Sequence, residues 1–263
     1  MMTISTHLMT VDGIQTHVAI MGEGPPILFL HGWGVDMQTM LSVAERIAAH
    51  GFTAHVIDFP GFGKSDLPPR AWSVGDYARW VIAYLDAQGL EQVYLVGHSF
   101  GGRVSLVLGA EYPERIRKIA LSNSAGVKLP PSLRLRAYYL GRKILLAVLS
   151  LPGLAKQKEQ AKSYLRKKFG SADYLNAGPL TETFIKVISE DLLPFSKRVQ
   201  APTLLFWGDQ DQDTPLAAGR ILEANMPDAG LIVFEGAGHY AYLDNPSRFV
   251  EIVVYFFRQN TSE

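Results

Sequence analysis

The chain has 263 residues, 48% of them apolar and 19% charged, which suits one α/β domain with an insertion and a large buried core. Lys+Arg and Asp+Glu both number 25, which argues against a dedicated nucleic-acid binder, and the lack of cysteine removes disulfides, thiolate metal sites and cysteine nucleophiles. Residues 1–13 show no basic head or apolar run, and no stretch of about 18 apolar residues occurs. A cytoplasmic enzyme without stable membrane insertion is therefore expected, with oligomerisation left open.

Short apolar runs alternate with longer amphipathic ones. Thr16–Met21 followed by Pro26 onward reads as a hairpin adding antiparallel strands at one edge. Pro26–His31 is a buried strand ended by Gly32 and Gly34; Gln38–His50 has helical spacing and stops at Gly51. Thr53–Asp58 is a strand, and Ser73–Gln88 a helix opened by a Ser73-x-x-Asp76 box and closed by Gly89. Gln92–Val96 (strand), Gly101–Tyr112 (helix) and Lys118–Ser122 (strand) follow. After an interruption come strand Thr203–Trp207, helix Pro215–Asn225, strand Leu231–Glu235 and helix Pro246–Phe257. Such alternation predicts an α/β protein with a mostly parallel central sheet flanked by helices.

The interruption spans 127–198, where only helical patterns appear, such as Leu133–Leu151 and Lys156–Phe169. It reads as a helical cap inserted into a core formed by 1–126 and 199–263. The cap holds 14 Lys/Arg and 5 Asp/Glu, net +9; the remainder holds 11 and 20, net −9. Solvated helix faces account for such a run, as does attraction to an anionic substrate or a lipid surface, for which the apolar run Ile144–Leu151 beside Arg142 and Lys143 is a motive.

Gly97-His98-Ser99-Phe100-Gly101-Gly102 lies between a predicted strand and a predicted helix, the context G-x-S-x-G requires. A strained turn lifts the serine hydroxyl off the sheet edge, and side chains two positions either side would collide. The helix N-terminus adds partial positive charge where an oxyanion would form. A serine nucleophile needs a base. Of seven histidines only His239 follows Ser99, on the Gly236-Ala237-Gly238 loop after a strand. The orienting acid belongs in Gly208-Asp209-Gln210-Asp211-Gln212-Asp213, and composition does not choose among its three carboxylates. Gly63-Lys64-Ser65 fails as a phosphate loop because Asp58 stands where glycine is needed, and no H-E-x-x-H or His/carboxylate cluster suggests a metal.

These motifs resemble the α/β-hydrolase fold family, specifically its serine-triad, esterase-like branch with a helical cap. His31-Gly32-Trp33-Gly34 is similar to its oxyanion loop, and Asp58-Phe59-Pro60-Gly61-Phe62-Gly63-Lys64-Ser65 to its D-x-x-G-x-G-x-S loop. Trp207-Gly208-x-x-Asp211-x-x-x-Pro215 resembles the acid loop and selects Asp211; Gly238-His239 with Asn245-Pro246 and Phe249 resembles the histidine loop and last helix. The resemblance implies a Ser99–His239–Asp211 triad, an oxyanion hole of the Trp33 and Phe100 N–H groups, and no cofactor or metal.

The expected substrate is a small carboxylic ester with an apolar or aromatic portion, in a pocket that includes His31, His98, Tyr138, Tyr139, Leu140 and Tyr240. Dehalogenases and epoxide hydrolases of this fold use an aspartate nucleophile and are disfavoured by Ser99. Hydrolases of C–C bonds in ring-opened dienoates share length and cap, but carry asparagine before the serine and tryptophan after the histidine, where this chain has His98 and Tyr240. A non-catalytic ligand-binding protein on the same fold is the alternative from another class.

Overall fold

The computed structural model describes residues 4–130, 133–151, 153–154, 156–161, 164 and 172–259. Eight strands form one sheet: β1 (Ser5–Val11), β2 (Ile14–Met21), β3 (Pro26–Leu30), β4 (Thr53–Ile57), β5 (Val93–His98), β6 (Ile116–Ser122), β7 (Thr203–Gly208) and β8 (Ala229–Phe234). Their spatial order is β1-β2-β4-β3-β5-β6-β7-β8. β1 and β2 pair antiparallel, as do β2 and β4; every other pair is parallel.

The central strands are short apolar runs because both their faces are covered. Leu28 and Leu30 of β3 enter one hydrophobic core while Ile27 and Phe29 enter the other, the two-residue alternation of a pleated strand. The first core takes in α2 (Val74–Ala87), α3 (Phe100–Glu111) and α8 (Leu216–Asn225); the second takes in α1 (Gln38–Ala48), α9 (Ala241–Asp244) and α10 (Pro246–Arg258). At the start of α2, Ser73 Oγ accepts from the Asp76 N–H at 3.1 Å, and Asp76 Oδ2 accepts from the Ser73 N–H at 2.8 Å. This is the reciprocal box expected there.

The antiparallel edge differs from the sequence expectation. β2 turns back onto β1, not onto Pro26–Leu30, which pairs parallel with β4 and β5. Asp12 (φ 48°) and Gly13 (φ 77°) form the two-residue connection, whose twist matches the flanking strands. β1 is exposed over most of its length, so its residues carry little burial pattern to read.

Between β6 and β7 lie α4 (Leu133–Val148), helical residues 156–161, α5 (Ala172–Asn176), α6 (Thr181–Ser189) and α7 (Leu193–Ser196), with no strand among the described residues. Of the expected helix Lys156–Phe169, residues 156–161 and 164 are helical, and the other half lies outside the described residues. No described helix is long and apolar enough to cross a membrane.

Connectivity fixes where a site can form. From β3 the chain goes to β4 on one side, then returns to β5 on the other. The loops leaving the carboxyl ends of β3 and β5 therefore diverge and open a crevice. Trp33 and Ser99 stand on those two loops.

Candidate active site

Ser99 occupies the turn between β5 and α3 with φ 49° and ψ −104°, a conformation that costs energy in a non-glycine residue. Packing enforces it. A Cβ at Gly101 would sit 2.0 Å from the Leu30 carbonyl oxygen, and one at Gly97 would sit 2.7 Å from Ser105 Oγ. The Gly101 N–H donates to the His31 carbonyl at 3.0 Å, tying the start of α3 to the loop after β3. A serine in the N-cap position ordinarily accepts a first-turn N–H; Ser99 does not. Its hydroxyl lies on the wall of a cavity instead.

His239 lies on the loop after β8 and faces the same cavity. Its Nδ1 is 2.9 Å from Asp211 Oδ2, which leaves Nε2 for another partner. Asp211 is 4% exposed yet fully engaged. Oδ2 also accepts from Asn123 Nδ2 at 2.6 Å and Thr214 Oγ1 at 2.7 Å; Oδ1 accepts from the N–H groups of Asp213 at 2.8 Å and Thr214 at 3.0 Å. Burial pushes this carboxyl up, but the bonds from His239, Thr214 and Asn123 outweigh it and hold Asp211 well below the usual carboxylate range. Asp209 is exposed and accepts from the Gly236 N–H at 2.8 Å; Asp213 is an exposed residue of the cavity wall. Neither contacts the imidazole as Asp211 does. Donor atoms of Asp211, Asp213 and His239 lie within 4.8 Å of one another, but Asp211 and His239 Nδ1 are already satisfied by each other and by neighbouring groups.

The Trp33 and Phe100 residues both line the cavity, and neither backbone N–H has an acceptor among the described residues. Edge contacts hold the Trp33 indole against Phe62 and Phe100, at ring separations of 4.9 and 5.3 Å, and a tilted contact at 5.1 Å sets it against Phe184. The cavity is about 480 Å³. Its floor is the Ser99 turn; Phe184, Val187 and Ile188 of α6, with Val127 and Leu129, wall it from the side of the inserted helices.

The structure redistributes the expected pocket. His98 and Tyr240 line the cavity. His31 does not: it is fully buried beneath the loop, its Nδ1 donating to the Gly32 carbonyl at 2.7 Å and its Nε2 accepting from the Phe59 N–H at 3.0 Å. It shapes the loop that carries Trp33, and burial lowers its pKa. His98 packs between His239, Tyr240 and Tyr242 with Nδ1 on the Ser122 carbonyl, and burial pushes its pKa down to about 3. Leu140 is 60% exposed and is not part of the wall, because α4 turns that face outward. The side chains of Tyr138 and Tyr139 lie outside the described residues.

Sequence reading missed three contributors. Asn123, at φ 48°, follows β6 and donates to both Asp211 Oδ2 and the Gly238 carbonyl, joining the acid loop to the histidine loop. Thr214 holds Asp211 from the other side. Arg103, on α3, lines the cavity and donates to the Val187 and Glu190 carbonyls at 3.0 and 3.2 Å; burial lowers its pKa to about 10. The available signal was position. Asn123 immediately follows a parallel strand, at the sheet edge where functional side chains converge.

Residues 25–246 match the family described as the alpha/beta hydrolase fold. A 2-hydroxy-6-oxononadienedioate/2-hydroxy-6-oxononatrienedioate hydrolase of Comamonas testosteroni is 30% identical over 94% of this chain and 92% of that protein. A pimeloyl-[acyl-carrier protein] methyl ester esterase of Chromobacterium violaceum is 28% identical over 89% of this chain and 94% of that protein. A solved membrane phospholipase A, described as a bacterial virulence factor, superposes with a TM-score of 0.75 at 25% identity, over 97% of this chain and 86% of its own. With the serine turn, the buried Asp–His pair and the divergent loops at one sheet edge, these likenesses establish that the chain belongs to the alpha/beta hydrolase fold family.

Proposed function

We propose that the protein is a serine hydrolase that cleaves a carboxylic ester with an apolar or aromatic portion through an acyl-enzyme. One observation carries the reading: the buried Asp211–His239 pair opens onto the same cavity as a strained serine whose hydroxyl caps nothing. In the resting arrangement Ser99 is not hydrogen-bonded to His239. The proposal requires that substrate binding brings them together, as apo sites often do.

Ser99 Oγ adds to the ester carbonyl carbon while its proton passes to His239 Nε2. Asp211, held ionised by its donors, stabilises the imidazolium and fixes the ring. The carbonyl oxygen becomes an oxyanion against the Trp33 and Phe100 N–H groups, each such donor contributing about 3–4 kcal/mol to the transition state. Collapse expels the alcohol, which takes the proton from His239, and leaves acyl-Ser99. Water attacks in turn, gives its proton to His239, and the second collapse frees the acid and restores Ser99. Among the described residues of the insertion, α6 with Val127 and Leu129 serves as the cap over this chemistry. Phe184, Val187, Ile188, Leu129 and Trp33 give the acyl or alcohol group an apolar wall.

A second reading, hydrolysis of a C–C bond in a ring-opened dienoate, is favoured by the name of the Comamonas relative. The imidazole of His98 and the phenol of Tyr240 stand where such enzymes place asparagine and tryptophan. A panel of p-nitrophenyl esters of increasing chain length, run beside a ring-opened dienoate, separates the two. Turnover of the dienoate alone overturns the ester reading, and failure of a fluorophosphonate to label Ser99 overturns both.

A further inference from the structure

The helices between β6 and β7 present a surface that the hydrolytic site does not use. From Leu140 to Leu151 every residue is exposed or half-buried and none is buried, although this stretch is rich in leucine, isoleucine and valine. Leu140, Ile144 and Val148 stand at i, i+4 and i+8 of α4 and so share one face, and Leu151 follows just beyond the helix end. Each is exposed over more than half of its surface. A continuous apolar stripe left in water calls for a covering partner.

Charge identifies that partner. Among the described residues from 136 to 161, Arg136, Arg142, Lys143 and Lys156 are exposed, against the one acid Glu159. Arg142 and Lys143 lie within the apolar stretch itself and are exposed. A second copy docked through this face would set one strongly basic surface against another, which costs energy. An anionic bilayer surface accepts both features: aliphatic side chains enter the acyl boundary while the cations meet lipid phosphates. No described helix is long and apolar enough to span a membrane, so the contact is peripheral.

We infer that α4, with its apolar stripe and its exposed cations Arg136, Arg142 and Lys143, forms a docking surface for anionic lipid bilayers, independent of the catalytic groups. The surface lies close in sequence to the site. Leu129 lines the cavity, and α4 begins four residues later at Leu133.

The test is co-sedimentation of the full chain with vesicles of mixed phosphatidylglycerol and phosphatidylcholine, beside vesicles of phosphatidylcholine alone. Binding to the anionic vesicles is expected at low salt and is expected to weaken steeply as salt rises. The double variant Ile144→Glu/Val148→Glu is expected to lose at least about tenfold in vesicle affinity, with thermal unfolding and turnover of a soluble short-chain p-nitrophenyl ester unchanged. Ser99→Ala is expected to bind vesicles like the parent chain, so a failure of the catalytic reading stays distinct from a failure of this one. Absence of anionic vesicle binding at low salt, equal binding by the double variant, or a concentration-dependent dimer abolished by that variant without lipid binding would each overturn the inference.

Discussion

The sheet-edge end of the molecule and the inserted helices solve opposite problems. Around β5, β6 and β7, most buried polar groups are paired, His98 Nε2 excepted: Asp211 accepts five hydrogen bonds, and Asn123 bridges two loops. Around α4, apolar groups are exposed and uncovered. The first region meets its requirements within the chain and can hold a strained serine. The second meets its requirements only through something outside the chain. Rigidity serves chemistry at one end, and exposure serves encounter at the other. The two regions meet at Arg103, whose guanidinium on α3 holds the carbonyls of Val187 and Glu190 at the end of α6.

The sharpest way to break this contrast is at the sheet edge. Ser99→Ala should reduce ester turnover by about 10³-fold or more with unfolding unchanged; wild-type rates would remove the nucleophile from its assigned place. Asp211→Asn should lower kcat by about 10³–10⁴-fold, while Asp209→Asn and Asp213→Asn should leave it within a few fold. Steady-state kinetics on one p-nitrophenyl ester distinguishes the three, and an inverted order would move the acid to another carboxylate. Asn123→Ala should cost about tenfold in kcat with KM little altered, since it touches the acid and not the substrate; a change confined to KM would contradict a positioning role.

Acid should sharpen the contrast through stability. Burial lowers the pKa of His55 from 6.5 to about 4 and that of His98 to about 3, so each binds its proton more readily once unfolded. Their contribution is complete above pH 6.5 and declines below it, down to about pH 4 for His55. A loss of about 2 kcal/mol per histidine is expected between pH 8 and pH 5, measured by urea unfolding. Asp211, held ionised far into acid, adds no slope in that interval. A flat profile from pH 8 to pH 5 would show that these imidazoles are not kept neutral by the fold. The smallest effect belongs to α4, where Ile144→Glu should shift stability by no more than about 0.5 kcal/mol, because Ile144 is 56% exposed.

Much of the core was legible because parallel strands covered on both faces must be short apolar runs, and helix ends carry local chemistry. The Ser73–Asp76 box and the predicted strand Thr203–Trp207 needed no tertiary information. The edge was less legible: β1 is too exposed to show a pattern, so no apolar run precedes the Asp12-Gly13 turn to mark it as a hairpin. Within the site, the serine turn announces itself because glycine is forced at 97 and 101 by close approach. Asn123 and Arg103 do not announce themselves, since one polar residue after a strand or on a helix is common.

The order of residues determined the sheet, the tight serine turn and a lone downstream histidine, because period, capping and steric exclusion act between near neighbours. Only the folded chain decided that Asn123 bridges the acid and histidine loops, that His31 lies beneath its loop and not in the cavity, and that α4 faces outward. Those outcomes depend on which loops converge at one sheet edge, and convergence is set by strand order across the whole molecule.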